Sequence, residues 1–171
     1  MNATTLLREQ IQQAHGFLNA TLEGITTEQA HWAPPGTANP IAATYVHAIA
    51  SEDLAINMVL KGGAPLYASE WAEKTGISEV QPLSTAEWAR RVHVDLPAMS
   101  IYAQAVHAAT DAYLATLTDE DLARDLDLTA FGLGHMTVGT ILDRMVLGHI
   151  DNMTGEISVL KGLQGAKGYP I

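Results

Sequence analysis

The chain contains no cysteine among its 171 residues. Disulfides, thiolate nucleophiles and cysteine-ligated zinc are therefore excluded. The absence fits a reducing compartment, so we expect a cytoplasmic protein. The sequence begins without a basic segment followed by an apolar run, and no apolar stretch approaches the ~20 residues that cross a bilayer. We expect neither a signal peptide nor association with a membrane.

Basic residues are also scarce. Nine Lys and Arg residues stand against nineteen Asp and Glu residues, which gives a formal net charge of −10. A surface of this charge repels phosphate backbones, so nucleic acid is not an expected partner. A glycine-rich phosphate loop and a G-x-S-x-G nucleophile motif are both missing, so the sequence offers no sign of nucleotide chemistry or of a serine hydrolase.

Hydrophobic residues make up 47% of the chain, enough for one domain spanning residues 1–171. Their spacing predicts four long helices near residues 3–23, 40–61, 84–117 and 137–161. Asn39 and Pro40 form a start signal for the second helix, and the pattern from Ser84 to Glu87 is a capping box for the third. Pro97 predicts a kink inside that third helix. With no strong strand signal, the expected fold is all-α, a four-helix bundle.

Two of the seven histidines lie on helix faces that point into the predicted bundle. His47 shares its face with Ala43, Ala50, Leu54 and Met58. His149 lies on the stripe formed by Leu142, Met145, Met153 and Leu160. Inward histidines from different helices are the arrangement from which bundles build metal sites. The alternative is that each imidazole bonds a backbone carbonyl or a buried water, and spacing alone does not decide between the two.

Met153 and Glu156 are the residues that could complete such a site. Met153 follows His149 by four residues and therefore lies on the same helix face. Its thioether is a weak ligand for Zn²⁺ or Ni²⁺, and methionine also fills gaps in a core. Glu156, seven residues after His149, could replace the missing ligand or accept from an imidazole N–H. The other interpretation of Glu156, a glutamate at the edge of the buried face, is the one that we favour.

Short motifs along nearly the whole chain resemble those of the DinB-like (YfiT-like) superfamily, which also contains mycothiol-dependent maleylpyruvate isomerases. The matching features are Trp32-x-Pro34, the stretch Asn39-Pro40-Ile41-Ala42, His47 early in the second helix, and His149 with Gly155-Glu156-Ile157 in the last. The resemblance implies a bundle with up-down-down-up topology and a homodimer. It also implies a divalent metal ion, Zn²⁺ or Ni²⁺, held by three histidines. Those positions here are His47, His149 and Met153, so the third ligand departs from the pattern.

Two hypotheses about function follow. In the first, the domain carries a degraded metal site and is a non-catalytic protein that binds a small molecule between its helices. In the alternative, it is a metal-dependent enzyme, a thiol S-transferase or a hydrolase, that uses His47 and His149 as ligands. Methionine in place of the third histidine favours the first hypothesis.

Overall fold

Helices account for most of the fold, which a computed structural model describes for residues 2–81 and 84–170. The α-helices are α1 Ala3–Leu22, α2 Thr27–His31, α3 Ile41–Asp53, α4 Ala86–Arg91, α5 Leu96–Leu114, α6 Asp119–Leu122, α7 Val138–Ile141 and α8 Gly148–Leu163. Strands β1 (Asp125–Asp127) and β2 (His135–Thr137) pair in antiparallel register, with Leu126 opposite Met136. The predicted helical class is thus confirmed as a mainly helical fold, to which a small hairpin is added.

Two wide, π-helical turns lengthen the helices that carry the predicted site. Leu54–Leu60 continues α3, and Leu142–Leu147 joins α7 to α8. In each turn a backbone N–H bonds the carbonyl five residues earlier, as Gly148 does with Asp143 and Lys61 with Ile56. Residues 41–60 and 138–163 therefore run as two continuous helical segments, close to the second and fourth predicted helices. Such turns are frequent near functional sites.

The single long helix predicted at 84–117 is wrong, and so is its kink. The segment is instead two helices, α4 and α5, separated by residues 92–95. The Asp95 side chain accepts from the Ala98 N–H and caps α5, and Pro97 lies in the first turn, where a missing N–H costs nothing. Val94 pairs with Ile77 in an isolated bridge, which holds the interruption extended.

Two predicted helix starts are off by one residue. Thr85, rather than Ser84, caps α4 by accepting from the Trp88 N–H. At α3 the cap is Pro40, not Asn39, and the Thr44 hydroxyl bonds the Pro40 carbonyl. Ser84 and Thr85 offer the same hydroxyl, and Pro40 begins α3 without a side-chain cap, so the pattern locates a helix start only to within a turn.

The core lies between α1, α3, α5 and α8. Helices α1 and α3 each pack against both α5 and α8, so the apolar faces of the four close on one another. The largest fully buried side chains are Trp88, Tyr102, Ile11, Leu18, Ile41, Ile49, Ile56, Met99, Ile141, Leu142, Ile150 and Ile157. Among residues 2–81 and 84–170, none of the helices has the length and apolarity needed to cross a membrane.

Asp53, at the end of α3, is a fully buried carboxylate that anchors the following loop. Its Oδ1 accepts from Asn57 Nδ2 and the Leu66 N–H, both at 2.8 Å. Its Oδ2 accepts from the Tyr102 hydroxyl at 2.7 Å and the Tyr67 N–H at 3.0 Å. Four donors satisfy the buried charge, and the loop after residue 60 is thereby fixed against α5.

Lys161 ties the last helix to the end of the first. Its ammonium donates to the carbonyl oxygens of Thr21 at 2.5 Å and Glu23 at 3.2 Å. These are carbonyls at the C-terminus of α1, where a cation opposes the negative end of the helix dipole. Burial of the ammonium lowers the pKa of Lys161.

Candidate metal site and a buried histidine cluster

His47 and His149, the two histidines predicted to point inward, meet between α3 and α8. Their Nε2 atoms lie 3.1 Å apart, and the rings stand edge to face at 80°. Two imidazole nitrogens that share an ion at ~2.1 Å are roughly 3.0–3.4 Å apart, so the separation suits a common metal ion. It equally suits a hydrogen bond in which one Nε2–H donates to the other nitrogen. We call these two residues the imidazole pair.

The second ring nitrogen of each histidine has a different environment. His47 Nδ1 lies 3.3 Å from the Ser51 hydroxyl, one turn later on α3. In the tautomer in which Nδ1–H donates to the Ser51 oxygen, Nε2 keeps the lone pair that a ligand needs. His149 Nδ1 is buried and has no hydrogen-bond partner among the described residues. A buried polar atom without a partner lowers the stability of the fold. Such atoms are rare in proteins, and a role of the ring in binding is one reason to keep one.

His149 is held in its neutral form. Burial, together with a smaller effect of the neighbouring His47, lowers its pKa to about 4, and the charge of Glu52 acts in the opposite direction. A neutral imidazole is the form that coordinates a metal. At neutral pH the pair therefore offers nitrogen lone pairs without a prior loss of protons from His149.

Met153 and Glu156 take different positions. Met153 is half-buried, one helical turn beyond His149 on α8. Glu156 is exposed and lines a cavity of about 480 Å³ on the outside of the helix. The other residues lining this cavity are Thr37, Ala38, Asn39, Val159, Leu160 and Leu163. Glu156 thus lies at a surface, as the edge-residue interpretation predicts.

A second group of ionisable residues lies deeper, between α1, α3 and α5, and sequence reasoning missed it. His15 Nε2 is 2.9 Å from Glu52 Oε1 and 3.1 Å from Oε2, and His107 Nε2 is 4.0 Å from Oε2. The Thr110 hydroxyl donates to Oε1 at 2.5 Å. The rings of His15 and His107 stack at 3.7 Å with 11° between their planes. We call His15, Glu52, His107 and Thr110 the buried cluster.

Electrostatics divide the buried cluster into a charged part and a neutral part. Burial opposes ionisation of the Glu52 carboxyl, but the hydrogen bond from His15 and the charges of both histidines outweigh burial and lower its pKa. For His107, burial dominates and lowers the pKa to about 4, against the opposing pull of Glu52. Its Nε2 is buried without a hydrogen-bond partner in the described part of the chain.

A signal for the buried cluster was present in the sequence. His15 falls on the stripe with Ile11 and Leu18, and His107 on the stripe with Ala103 and Leu114. Glu52 falls four residues after Ala48 and four before Ile56, all three of them buried. An ionisable residue in register with a buried stripe on each of three helices predicts a cluster, since buried charges must find partners.

Three other histidines have structural roles. His31 Nδ1 donates to the Thr27 carbonyl, its Nε2 accepts from the Val94 N–H at 3.0 Å, and its ring stacks on His93. Exposed His135 bonds Asp125 at 2.6 Å across the hairpin, and that carboxylate raises its pKa. None of the three lies in the imidazole pair or the buried cluster.

Comparison with known proteins agrees with this architecture. A conserved protein from Enterococcus faecalis, known from its crystal structure, superposes with a TM-score of 0.80 over 95% of this chain and 97% of that one. At 24% sequence identity, this likeness shows a shared fold. No protein of curated function matches the sequence. The sequence profile of the DinB superfamily matches residues 10–151, from within α1 to within α8 and across both histidine groups. The chain therefore belongs to the DinB superfamily.

Proposed function

We propose that this protein binds a divalent metal ion weakly at the imidazole pair, with Met153 at the third position, and that a small molecule completes the site. The observation that carries the proposal is the 3.1 Å separation of the two Nε2 atoms, one from each of two packed helices. The neutral state of His149 and the contact of His47 with Ser51 support it. An ion bound there would supply Lewis acidity toward a carbonyl, a thiol or a water.

The donor set explains why the affinity is expected to be low. Two imidazoles and a thioether are a poor set for a borderline ion such as Zn²⁺ or Ni²⁺. Glu156, exposed at the outer cavity, stays a candidate substitute ligand only if its side chain turns inward. We therefore favour a degraded site in a non-catalytic small-molecule binder. The alternative, a metal-dependent thiol S-transferase or hydrolase that uses His47 and His149, requires that the bound small molecule also react.

The metal proposal is tested by titrating Zn²⁺ and Ni²⁺ into protein made without an affinity tag, since a histidine tag binds both ions. His47→Ala and His149→Ala should each abolish binding at the imidazole pair and so lower the number of ions bound per chain, because a single imidazole does not hold an ion. His135→Ala is the matched control, since it removes an exposed histidine outside the site. Binding that is unchanged in both His47→Ala and His149→Ala would refute the proposal.

Met153→His is expected to restore a three-histidine site. The new imidazole would lie one turn from His149 on the same face of α8. We expect Zn²⁺ affinity to rise by on the order of 100-fold, because a nitrogen donor replaces a weak thioether. Isothermal titration of the natural protein and the variant measures the difference. Asp151→His, which puts a histidine on an exposed position of α8 that faces away from His149, is the control; equal affinities in all three proteins would contradict the prediction.

A second candidate function is small-molecule binding without a metal. A cavity of about 800 Å³ opens where the end of α1 and the start of α2 face α3 and α5. Polar groups in its wall include Asn19, Tyr45, Ser100 and Gln104, and Tyr45 bonds Ser100. Its size and mixed lining are those of sites for small organic ligands. A fragment screen by NMR with metal chelator present tests this function: bound fragments should shift resonances of these four residues.

We also propose the up-down-down-up topology within a single domain. Arg8 pairs with Asp111 and His15 stacks on His107, an order that supports antiparallel α1 and α5. His15 lies beside Glu52, and Ala20 shares a cavity with Tyr45, which supports antiparallel α1 and α3. Phe17 shares a cavity with Asp151, and Thr21 bonds Lys161, which supports parallel α1 and α8.

Finally, we propose a homodimer packed through helix faces. Val159 and Leu163 on α8 are 63% and 64% exposed, and Ile101 on α5 is 58% exposed. Apolar side chains this exposed on helix surfaces favour burial against a second copy. Light scattering across a wide concentration range should give the mass of two chains, and Val159→Glu with Leu163→Glu should lower it to one. A mass of one chain for the natural protein at every concentration would refute the dimer.

A further inference from the structure

We infer that the buried cluster is a second divalent-cation site, of the two-histidine, one-carboxylate type, distinct from the imidazole pair. Its donors come from three helices: His15 from α1, Glu52 from α3 and His107 from α5. None of them belongs to the imidazole pair. The inference therefore stands whether or not that pair binds a metal.

The distances carry the first step. The candidate donor atoms of His15, Glu52 and His107 all lie within 4.8 Å of one another. Three donors that share an ion at ~2.1 Å are separated by roughly 3 Å when adjacent and about 4.2 Å when opposite. The separations of 2.9 Å and 4.0 Å to the Glu52 oxygens fall at the two ends of that range. An ion can therefore reach all three donors with small side-chain movements.

Unused bonding capacity is the second step. Thr110 already donates to Glu52 Oε1, whereas Oε2 lies 4.0 Å from His107 Nε2, too far for a hydrogen bond. His107 Nε2 has no hydrogen-bond partner in residues 2–81 and 84–170, and its side chain is only 11% exposed. A buried nitrogen with an unused lone pair costs stability unless something binds it. A cation between His107 and Glu52 would use both groups.

Charge supplies the third step. Glu52 is fully buried, and its carboxylate faces the imidazoles of His15 and His107 and the hydroxyl of Thr110. A divalent ion held among these groups would balance the charge of the buried carboxylate. The His15 and His107 rings would then tilt out of their 11° stack so that both lone pairs face the ion.

The donor types select the ion. Imidazole nitrogen suits Zn²⁺ and Fe²⁺, whereas Mg²⁺ and Ca²⁺ prefer an all-oxygen shell. Two histidines with one carboxylate form the ligand set of catalytic zinc sites and of non-haem iron sites. Because the side chains of His15 and His107 are about nine-tenths covered, we assign the ion to holding α1, α3 and α5 together.

The test uses a background in which only the buried cluster can bind. His47→Ala/His149→Ala protein, made without a tag and stripped with chelator, is titrated with Zn²⁺ against a chromophoric chelator. We expect one Zn²⁺ per chain. Adding His107→Phe, which keeps the ring stack but removes a donor, should weaken binding by on the order of 100-fold or more. Adding His135→Ala instead should change nothing.

A measurement on the natural protein guards against variants that fail to fold. With its histidines labelled with ¹⁵N, saturating Zn²⁺ should move the side-chain resonances of His15 and His107 to the positions of ligated nitrogen. Resonances of His135 should stay in place. If those of His15 and His107 also stay in place, the cluster holds a proton and the inference is overturned.

The outcomes separate the two metal proposals. No uptake by His47→Ala/His149→Ala protein, with uptake by the natural chain, overturns this inference and leaves the imidazole pair as the only site. Uptake of one Zn²⁺ by that double variant, with loss in His107→Phe, supports the buried site. A second Zn²⁺ in the natural chain then supports the pair as well, and its absence argues against the pair. Uptake that survives His107→Phe in the double variant also overturns the inference.

Discussion

Glu52 and Asp53 are consecutive residues at the end of α3, and both are fully buried, yet their surroundings differ in kind. Asp53 accepts from backbone N–H groups, an amide and a phenol, none of which changes its charge near neutral pH. Glu52 faces two imidazoles and one hydroxyl. A carboxylate with fixed neutral donors can only hold structure, whereas one with titratable partners can exchange a proton or a cation. Burial alone therefore does not distinguish an anchor from a site.

The largest effect is expected for Asp53→Asn. The amide NH₂ would face groups that all donate, so several buried donors would lose their acceptor. We expect a loss of about 3–5 kcal/mol in the free energy of unfolding. Denaturant melts measure this loss, and Asp151→Asn, at an exposed position of α8, is the control. Zn²⁺ uptake per folded chain should be unchanged. A loss of uptake would mean that the two carboxylates do not have separate roles.

Next in size is the acid sensitivity that His107 confers. Its folded-state pKa of about 4 lies below the ordinary 6.5, so the unfolded chain binds more protons in that window. The stability it contributes is present above pH 6.5 and is lost as pH falls toward 4, on the order of 3 kcal/mol. His107→Phe should remove this part of the pH dependence. If the free energy of unfolding falls equally steeply between pH 6.5 and 4 in His107→Phe and in the natural protein, the prediction is wrong.

His135 provides the control of opposite sign. Asp125 raises its pKa, so its stabilisation is present at low pH and is lost as pH rises through the raised value. His135→Ala should therefore leave the protein relatively less stable on the acid side, where His107→Phe makes it relatively more stable. Melts of the two variants across the same pH series sharpen the contrast between an exposed and a buried histidine.

Of the two changes at the Asp53 anchor, Tyr102→Phe is expected to have the smaller effect. The variant removes one donor to Asp53 and leaves three in place. We expect the free energy of unfolding to fall by about 1.5–3 kcal/mol, which is the contribution of a hydrogen bond to a charged group. Thermal melts at neutral pH check it, and Tyr169→Phe at the exposed C-terminal tail is the control. A loss as large as that of Asp53→Asn would mean that the phenol alone carries the anchor.

The sequence predicted the imidazole pair but not the buried cluster, and the reason is physical. His47 and His149 lie on stripes of small or apolar residues, so helical spacing and the family resemblance both placed them inside. Adjacent Glu52 and Asp53 gave no indication of paired-carboxylate chemistry, because neighbours on one helix point in different directions. Both are buried because α3 is covered on several sides, by α5, α8 and the loop after residue 60. Spacing along one helix does not reveal how many neighbours surround it.

The third helix shows the same limit for local structure. Apolar spacing continues across residues 92–95, so periodicity predicted one helix there. The competing signal was Asp95 followed by Pro97, the same capping chemistry that was used at Asn39 and Pro40. Three of the four long helices were predicted to within a few residues. The remaining one, predicted at 84–117, was missed because a capping residue starts a new helix even where the apolar spacing continues without a break.

The π-helical turn at Leu142–Leu147 sets the phase of everything that follows it. Each residue of an α-helix advances the helix by about 100° and 1.5 Å. Loss of a single residue from this turn would let it relax to ordinary α-helix, whose larger rotation per residue makes up for the residue removed. His149 would stay opposite His47, and Val159 would stay exposed. A one-codon deletion inside the turn would thus spare the imidazole pair, whereas the same deletion in an ordinary α-helical stretch before His149 would rotate it away from His47.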